Sequence, residues 1–337
     1  MDTKIPKLIN LWNKGFYYSH KKLKTIALPT ISNIEVTNAC GMNCIMCPRQ
    51  FMKRKVGFMG VNLFEKIIKQ SKTNNNIILH HFGDPLLHPR LDQILEICNK
   101  YGINASFSTN PSSLTDSKIK IIFDKKLNNL HISLDGATKS TYEKIRRGRA
   151  DYNLSIENIN KFLEEKNKRK LTKPYTTIAI IRMKETRDEI DSFIKIWKNK
   201  KGIDNVEVKE FITWDGSMKE IISLGYEFSH KFKQKKYYPC FWPWGKLTIT
   251  WDGLVVPCCF DYDAKLVLGD LKTQSLNEIW NSKKMQEFRE MQIKNSFPEG
   301  HLCRNCRERE GFPPSKFYPL NLIISKKLNF LKYFKYN

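Results

Sequence analysis

Residues 31–48 read I-S-N-I-E-V-T-N-A-C-G-M-N-C-I-M-C-P. The first part, 31–37, has the branched, alternating character of a strand, and it runs straight into Cys40, Cys44 and Cys47. Three thiols within eight residues can wrap one metal centre, and sulfur-only ligation selects zinc or an iron–sulfur cluster. A closed zinc site wants four ligands. Three cysteines on a cubane would leave its fourth iron open, as a catalytic cluster requires. On the loop alone both metals stay open, but its position at the carboxyl end of a strand is where parallel α/β folds keep their active groups.

The same pattern repeats downstream. Candidate strands fall at 31–37, 77–82, 103–109, 130–134, 176–181 and 206–211. Between them lie helical periodicities such as Phe64, Ile67 and Ile68, or Ile156, Ile159 and Leu163. Another, Ile190, Phe193, Ile194 and Trp197, is preceded by a capping box of Thr186 with Glu189. Strands alternating with helices mean a parallel sheet. An eight-unit barrel takes ~250 residues, so six units need ~190, which fits residues 31–215. The expected fold is α/β: a partial (β/α)6 TIM-like barrel. After about residue 215 the pattern changes. Asp252-Gly253 marks a hairpin, and Ser275 with Glu278 caps a helix carrying Leu276, Ile279, Trp280, Phe288 and Met291 on one side. The predicted organisation is a basic lead-in (1–30), the barrel (31–215), a small separate α+β domain (216–310) and a basic amphipathic tail (311–337).

Composition narrows the classes. With 41% hydrophobic and 27% charged residues in 337, the chain can pack a core and stay in water, which excludes a disordered protein. No run approaches the ~18–20 apolar residues of a membrane span, and the N-terminus lacks a secretory pattern, so a cytoplasmic location is expected. Lysine and arginine (58) against aspartate and glutamate (34) give +24. The excess is spread among asparagines without a basic cluster interleaved with aromatics, so no nucleic-acid module is read. The tail positions Leu320, Ile323, Ile324, Leu328 and Leu331 among lysines permit peripheral contact with an anionic membrane, packing or fraying being the simpler reading. Nine cysteines in such a chain point to metal or catalysis rather than disulfides. Cys98 shares a helical face with Leu91 and Leu95 and reads as core.

The spacing C-x3-C-x2-C resembles the signature of the radical S-adenosylmethionine (SAM) superfamily. That resemblance implies a 4Fe–4S cluster on Cys40, Cys44 and Cys47 whose fourth iron is chelated by S-adenosyl-L-methionine, with reductive cleavage to a 5′-deoxyadenosyl radical. Three further strand ends fit it. Phe82-Gly83-Asp84-Pro85 resembles the family's G-G-E-P motif, with Phe for the first glycine and an aspartate one methylene shorter than glutamate. Ser108-Thr109-Asn110 and Ser133-Leu134-Asp135-Gly136 resemble segments lining the SAM ribose and carboxylate. The resemblance therefore implies SAM contacts at Gly83, Asp84, Ser108, Asn110, Ser133 and Asp135. In K-I-R-R-G-R, Arg146, Arg147 or Arg149 could pair with the SAM carboxylate, a solvated helix end being the alternative. His80, His81 and His88 read as packing or hydrogen-bonding residues rather than ligands.

A second set, Cys240-x17-Cys258-x44-Cys303-x2-Cys306, supplies four thiolates, enough for a closed zinc site or a fully ligated cluster. Cys240, Gly253 and Cys258 match the opening of the SPASM domain, and this region resembles that domain cut to its single-cluster "twitch" form. The places of the two later cysteines hold Phe312 and Lys316. The resemblance implies an auxiliary 4Fe–4S cluster on Cys240, Cys258, Cys303 and Cys306. Cys259 reads as structural, with replacement of Cys258 as the alternative.

The implied reaction is hydrogen abstraction from a small substrate. The nearest layout is oxidation of a sugar- or cyclitol-type alcohol, with one electron passing to the auxiliary cluster and a base taking the hydroxyl proton. Base candidates at the barrel mouth are Arg182, Lys184, Glu210 and Asp215. Trp242, Trp244 and Trp251 could stack on a sugar ring, although small-domain aromatics more often fill core. The implied partners are the small molecule and a low-potential donor such as flavodoxin or ferredoxin. Two alternatives stand: a peptide-modifying maturase, disfavoured by the short segment ahead of the first strand and the missing cysteines, and a non-catalytic zinc-stabilised basic binding protein.

Overall fold

Alternation decides the sheet. Ala105 and Phe107, Leu130 and Ile132, and Ile178 and Ile180 face one continuous core, so the intervening residues face the other way; Ile31 and Ile34 reach the same core because the register shifts between Ile31 and Asn33. The computed structural model describes residues 4–71, 75–225 and 237–317; the tail positions from Leu320 onward lie outside these. Within them α1 (Lys4–Ser19) precedes six strand–helix units. These are β1 (Thr30–Ile34) with α2 (Val61–Gln70), β2 (Asn76–Ile78) with α3 (Leu91–Lys100), and β3 (Asn104–Thr109) with α4 (Asp116–Asp124). Then come β4 (Asn129–Ser133) with α5 (Lys139–Arg146) and α6 (Tyr152–Lys168), β5 (Tyr175–Arg182) with α7 (Ile190–Trp197), and β6 (Asn205–Glu210) with α8 (Lys219–Ile222). The six strands pair in parallel, in chain order, as a partial TIM-like barrel. Strand two is shorter than its sequence suggests, because the chain turns away after Ile78 toward Gly83.

The C-terminal part comprises α9 (Trp242–Gly245), β7 (Lys246–Ile249), β8 (Leu254–Val256), β9 (Gly269–Asp270), α10 (Leu276–Trp280) and α11 (Lys283–Lys294). It does not stand apart from the barrel. β7 is the parallel neighbour of β1, giving one sheet of order β6-β5-β4-β3-β2-β1-β7-β8-β9. The core likewise runs on through Leu247, Ile249, Ile279, Trp280 and Phe288. A boundary at residue 215 thus cuts the chain but not the sheet. The single helix expected after Ser275 is two, because Ser282 starts α11 by accepting from the Met285 amide.

Residues 4–30 are held rather than trailing. Tyr18 sits in an aromatic cluster with Phe241, Trp244 and Phe317. Arg289, fully buried on α11, donates to the carbonyls of Leu23, Pro243 and Trp280. The Thr186–Glu189 capping box does not form. Thr186 instead accepts from the Met183 amide, and Glu189 caps α5, taking the Ala137 amide and the Thr138 and Thr141 hydroxyls. Tertiary reach outcompeted the local pair. No helix among the described residues is long and apolar enough to cross a membrane.

Candidate active site

The cysteine loop hangs from the end of β1. Thr37 and Asn38 close it at its base: the Thr37 hydroxyl donates to the Gly57 carbonyl (2.7 Å), and Asn38 accepts from the Gly57 amide (2.9 Å) while donating to the Lys55 carbonyl (3.0 Å). Along its length the loop zips against the segment following β4. Asn43 and Ile45 donate to the carbonyls of Arg146 and Ile145, and Arg149 donates back to the Gly41 carbonyl. Gly148, at φ +60°, admits this approach, since a Cβ there would stand 2.8 Å from the Gly41 oxygen. The Met42 amide points at the Cys40 sulfur (3.4 Å). Burial pushes the Cys40 thiol up to about 11 and Cys47 up to about 12, so ligation here releases protons.

Two hydrogen-bonded knots gather the other strand ends. In the first, the Asp84 carboxylate accepts from the Leu86 amide, the Thr109 hydroxyl (2.8 Å) and the Asn110 side-chain amide (2.5 Å). Asn110 in turn accepts from Ser112, and the Ser108 amide donates to His80 Nδ1. The shorter aspartate is thereby spent on tying the β2 loop to the end of β3. Burial raises its pKa. Gly83 has φ +103°, and its amide neighbour Asp84 donates to the Ala39 carbonyl (2.8 Å). A Cβ at Gly83 would meet the Thr37 oxygen at 2.5 Å and Asn38 Cα at 2.6 Å. Gly83→Ala is therefore expected to cost about 2 kcal/mol and to spread the cysteine loop, read as a lower melting temperature with reduced iron uptake.

In the second knot Arg146, whose side chain is 9% exposed, donates to the Asp135 carboxylate and the Ser133 carbonyl (2.6 Å) and reaches the Cys44 sulfur (3.5 Å). Asp135 also accepts from the Ile181 amide (2.8 Å). The structure thus brings Gly83, Asp84, Ser108 and Asn110 together, and Ser133 and Asp135 together, with both groups against the cysteine loop. The Asp84 and Asp135 carboxylates are turned onto protein partners. Arg146 was legible only as one of three arginines; its partner sits eleven residues upstream, across a turn.

The second set also converges. Cys240, Cys258, Cys303 and Cys306 line one small cavity of about 20 Å3, with Trp242 and Phe260 in its wall. Gln292 of α11, 1% exposed, accepts from the Cys240 amide (3.2 Å) and donates to the Cys303 sulfur (3.3 Å). Burial raises all four thiols, Cys240 to about 12 and Cys306 to about 11. Four thiols lining a common cavity, Cys303 buried and the others half-buried, fit a fully ligated cluster. Cys259 does not line the cavity, although β8 ends before it and strand alternation is not the reason. Its carbonyl accepts from His81 Nε2 (2.8 Å).

Side chains between the two sets tie them. Fully buried Glu35 holds Arg54 through both oxygens (2.8 and 2.9 Å) and accepts from the Phe82 and Trp251 amides. Trp214, past the end of β6, donates to the Met46 carbonyl (2.9 Å) and packs against Phe82 and Phe260, at 5.2 and 6.0 Å between ring centroids. Phe in place of the motif's first glycine is what this indole rests on. The expected bases are less engaged. Arg182 and Glu210 form an outlying pair at 3.6 Å, Lys184 is exposed, and Asp215 is held by Lys265 (3.0 Å) and Ser217. Trp244 is core, donating to the Lys22 carbonyl. Trp251 donates to the Lys55 carbonyl (3.2 Å), and His88 is buried on the Met59 carbonyl.

Family models match in two places: residues 34–196 match the radical SAM superfamily, and residues 240–307 match SPASM, an iron–sulfur cluster-binding domain. The chain is 24% identical over 315 residues to the tungsten-containing aldehyde ferredoxin oxidoreductase cofactor-modifying protein of Pyrococcus furiosus, covering 82% of this chain and 87% of that one. It is 22% identical over 280 residues to the S-adenosyl-L-methionine-dependent 2-deoxy-scyllo-inosamine dehydrogenase of Niallia circulans, covering 81% and 90%. The crystal structure of BtrN in complex with AdoMet and 2-DOIA shares the fold, with a TM-score of 0.54 at 18% identity over 83% of this chain and 94% of that one.

Proposed function

The chain is a radical SAM superfamily enzyme with a C-terminal SPASM-type iron–sulfur domain, and from that premise we propose that it oxidises an alcohol carbon of a sugar- or cyclitol-type molecule. When bound, a 4Fe–4S cluster with SAM would supply hydrogen-atom abstraction, and an auxiliary cluster would supply a one-electron acceptor. The protein's part is to hold, aim and seal. Cys40, Cys44 and Cys47 would carry the first cluster, with Arg146 orienting Cys44. Cys240, Cys258, Cys303 and Cys306 would carry the second, with Gln292 between two of them. The Gly83–Asp84 backbone, Ser108, Asn110 and Ser133 would face SAM, while the Asp84 and Asp135 carboxylates shape that face through their protein partners. Trp214 and Phe82 would keep water from the space between the two sets.

The observation that carries the reading is the pairing of an incomplete set of three thiols with a complete set of four, on one continuous sheet. An open cluster starts a radical reaction, and a closed one suits storing an electron. The match to a named cyclitol dehydrogenase over most of both chains supports the substrate class. The low-potential donor is proposed to be a flavodoxin or ferredoxin, and the compartment the reducing cytoplasm, where the seven cysteines of the two sets stay free to serve as ligands. Anaerobic protein given dithionite, SAM and a panel of cyclitols and sugars should form 5′-deoxyadenosine and a ketone in equal amounts. Nucleoside without any ketone, alongside modification of a peptide, would instead favour the maturase.

A further inference from the structure

The barrel lumen holds titratable groups that nothing above uses. On β6, Val206 and Val208 pack on the core, which turns Glu207 and Lys209 inward. On β4, Leu130 and Ile132 do the same for His131. Between them β5 presents only Thr177 and Ala179, in register with His131 and Ser133 on one side, and Ala179 faces Glu207 on the other. Glu207 Oε2 lies 3.7 Å from His131 Nδ1 and 3.8 Å from Lys209 Nζ, close enough for charge attraction but too long for a hydrogen bond. That oxygen is buried and accepts no hydrogen bond. Asn33 Oδ1 of β1 and Thr248 Oγ1, its register partner on β7, are also buried without one.

Buried polar atoms left unsatisfied cost about 1–3 kcal/mol each and persist mainly where a ligand or water completes them. An ionised carboxylate and an amide oxygen only accept. Whatever completes Glu207 Oε2 and Asn33 Oδ1 must therefore bring donors, as hydroxyl and ammonium groups do, while the Thr248 hydroxyl can donate as well as accept. Building on the alcohol-oxidation reading above, we infer that Glu207, flanked by His131 and Lys209, is a specificity-determining residue of the lumen that receives an amine- or hydroxyl-bearing ring and sets a preference for a cationic one. The alternation N-V-E-V-K-E along β6 is the sequence signal that places Glu207 on the inward face.

The test uses anaerobic, cluster-loaded, SAM-bound enzyme, with 2-deoxy-scyllo-inosamine as the amine-bearing probe and myo-inositol as the neutral one. Equilibrium dialysis measures affinity, and ketone formation is followed in parallel. Glu207→Gln is expected to weaken the amine-bearing probe roughly 10- to 100-fold and the neutral one only a few-fold, with Glu207→Asp in between. Iron content and SAM affinity matching the wild type would show that the variants fold. Equal affinity of wild type and Glu207→Gln for the amine-bearing probe would overturn the inference while leaving the alcohol reading intact wherever ketone still forms. A wild type that neither binds nor converts either probe would sink both.

Discussion

Replacing Cys40, Cys44 and Cys47 together with alanine is expected to abolish reductant-dependent 5′-deoxyadenosine formation and to halve the iron, from about eight to about four per chain. The loss should be complete because a cubane with no protein thiolate has no anchor in that loop. The remaining half should survive because the second set is built from other elements. Cys240 precedes α9, Cys303 and Cys306 follow α11, and Gln292 ties two of these cysteines together. The mirror variant, Cys303→Ala with Cys306→Ala, should keep the first cluster and some nucleoside formation but lose ketone. Iron analysis with paramagnetic resonance of the reduced protein separates the two variants. If the triple variant loses all its iron, the two sites are not independent.

Arg146→Met should be nearly as damaging, for a different reason. Asp135 is 1% exposed, and its carboxylate faces the guanidinium. Removing one member of a buried pair strands the other charge, which costs about 3–5 kcal/mol. In a domain of this size that lowers the melting temperature on the order of 10 °C. The same guanidinium touches the Cys44 sulfur, so the first cluster should also load poorly. Adding Asp135→Asn to Arg146→Met should recover part of the stability, since the stranded charge is gone, but not the cluster loading. Equal melting temperatures for wild type and Arg146→Met would show that the pair is not a structural fastener.

The barrel was legible because its signal is periodic. Apolar residues at every second position along β3, β4 and β5 set both the strands and the face they bury. The cysteine spacings were legible because ligation of one centre demands closeness along the chain or at hairpins. What surrounds the cysteines was not. Arg146, Gln292, Glu35 and Trp214 act across long sequence gaps, and each looks locally like a surface or core residue of its own helix or loop. Glu189 shows the opposite failure. Its spacing from Thr186 satisfies a local rule, yet three donors at the start of α5 offered its carboxylate more. The joining of β7 to β1 was hidden likewise, since a hairpin's own turn says nothing about which edge it will extend.

The measurement closest to the central claim is iron and acid-labile sulfide per chain, taken on the same anaerobic sample as 5′-deoxyadenosine formation with and without reductant. The two-cluster radical account predicts about eight of each and nucleoside only when both reductant and SAM are present. Zinc in place of iron, or a full complement of iron that yields no nucleoside with substrate supplied, would contradict it.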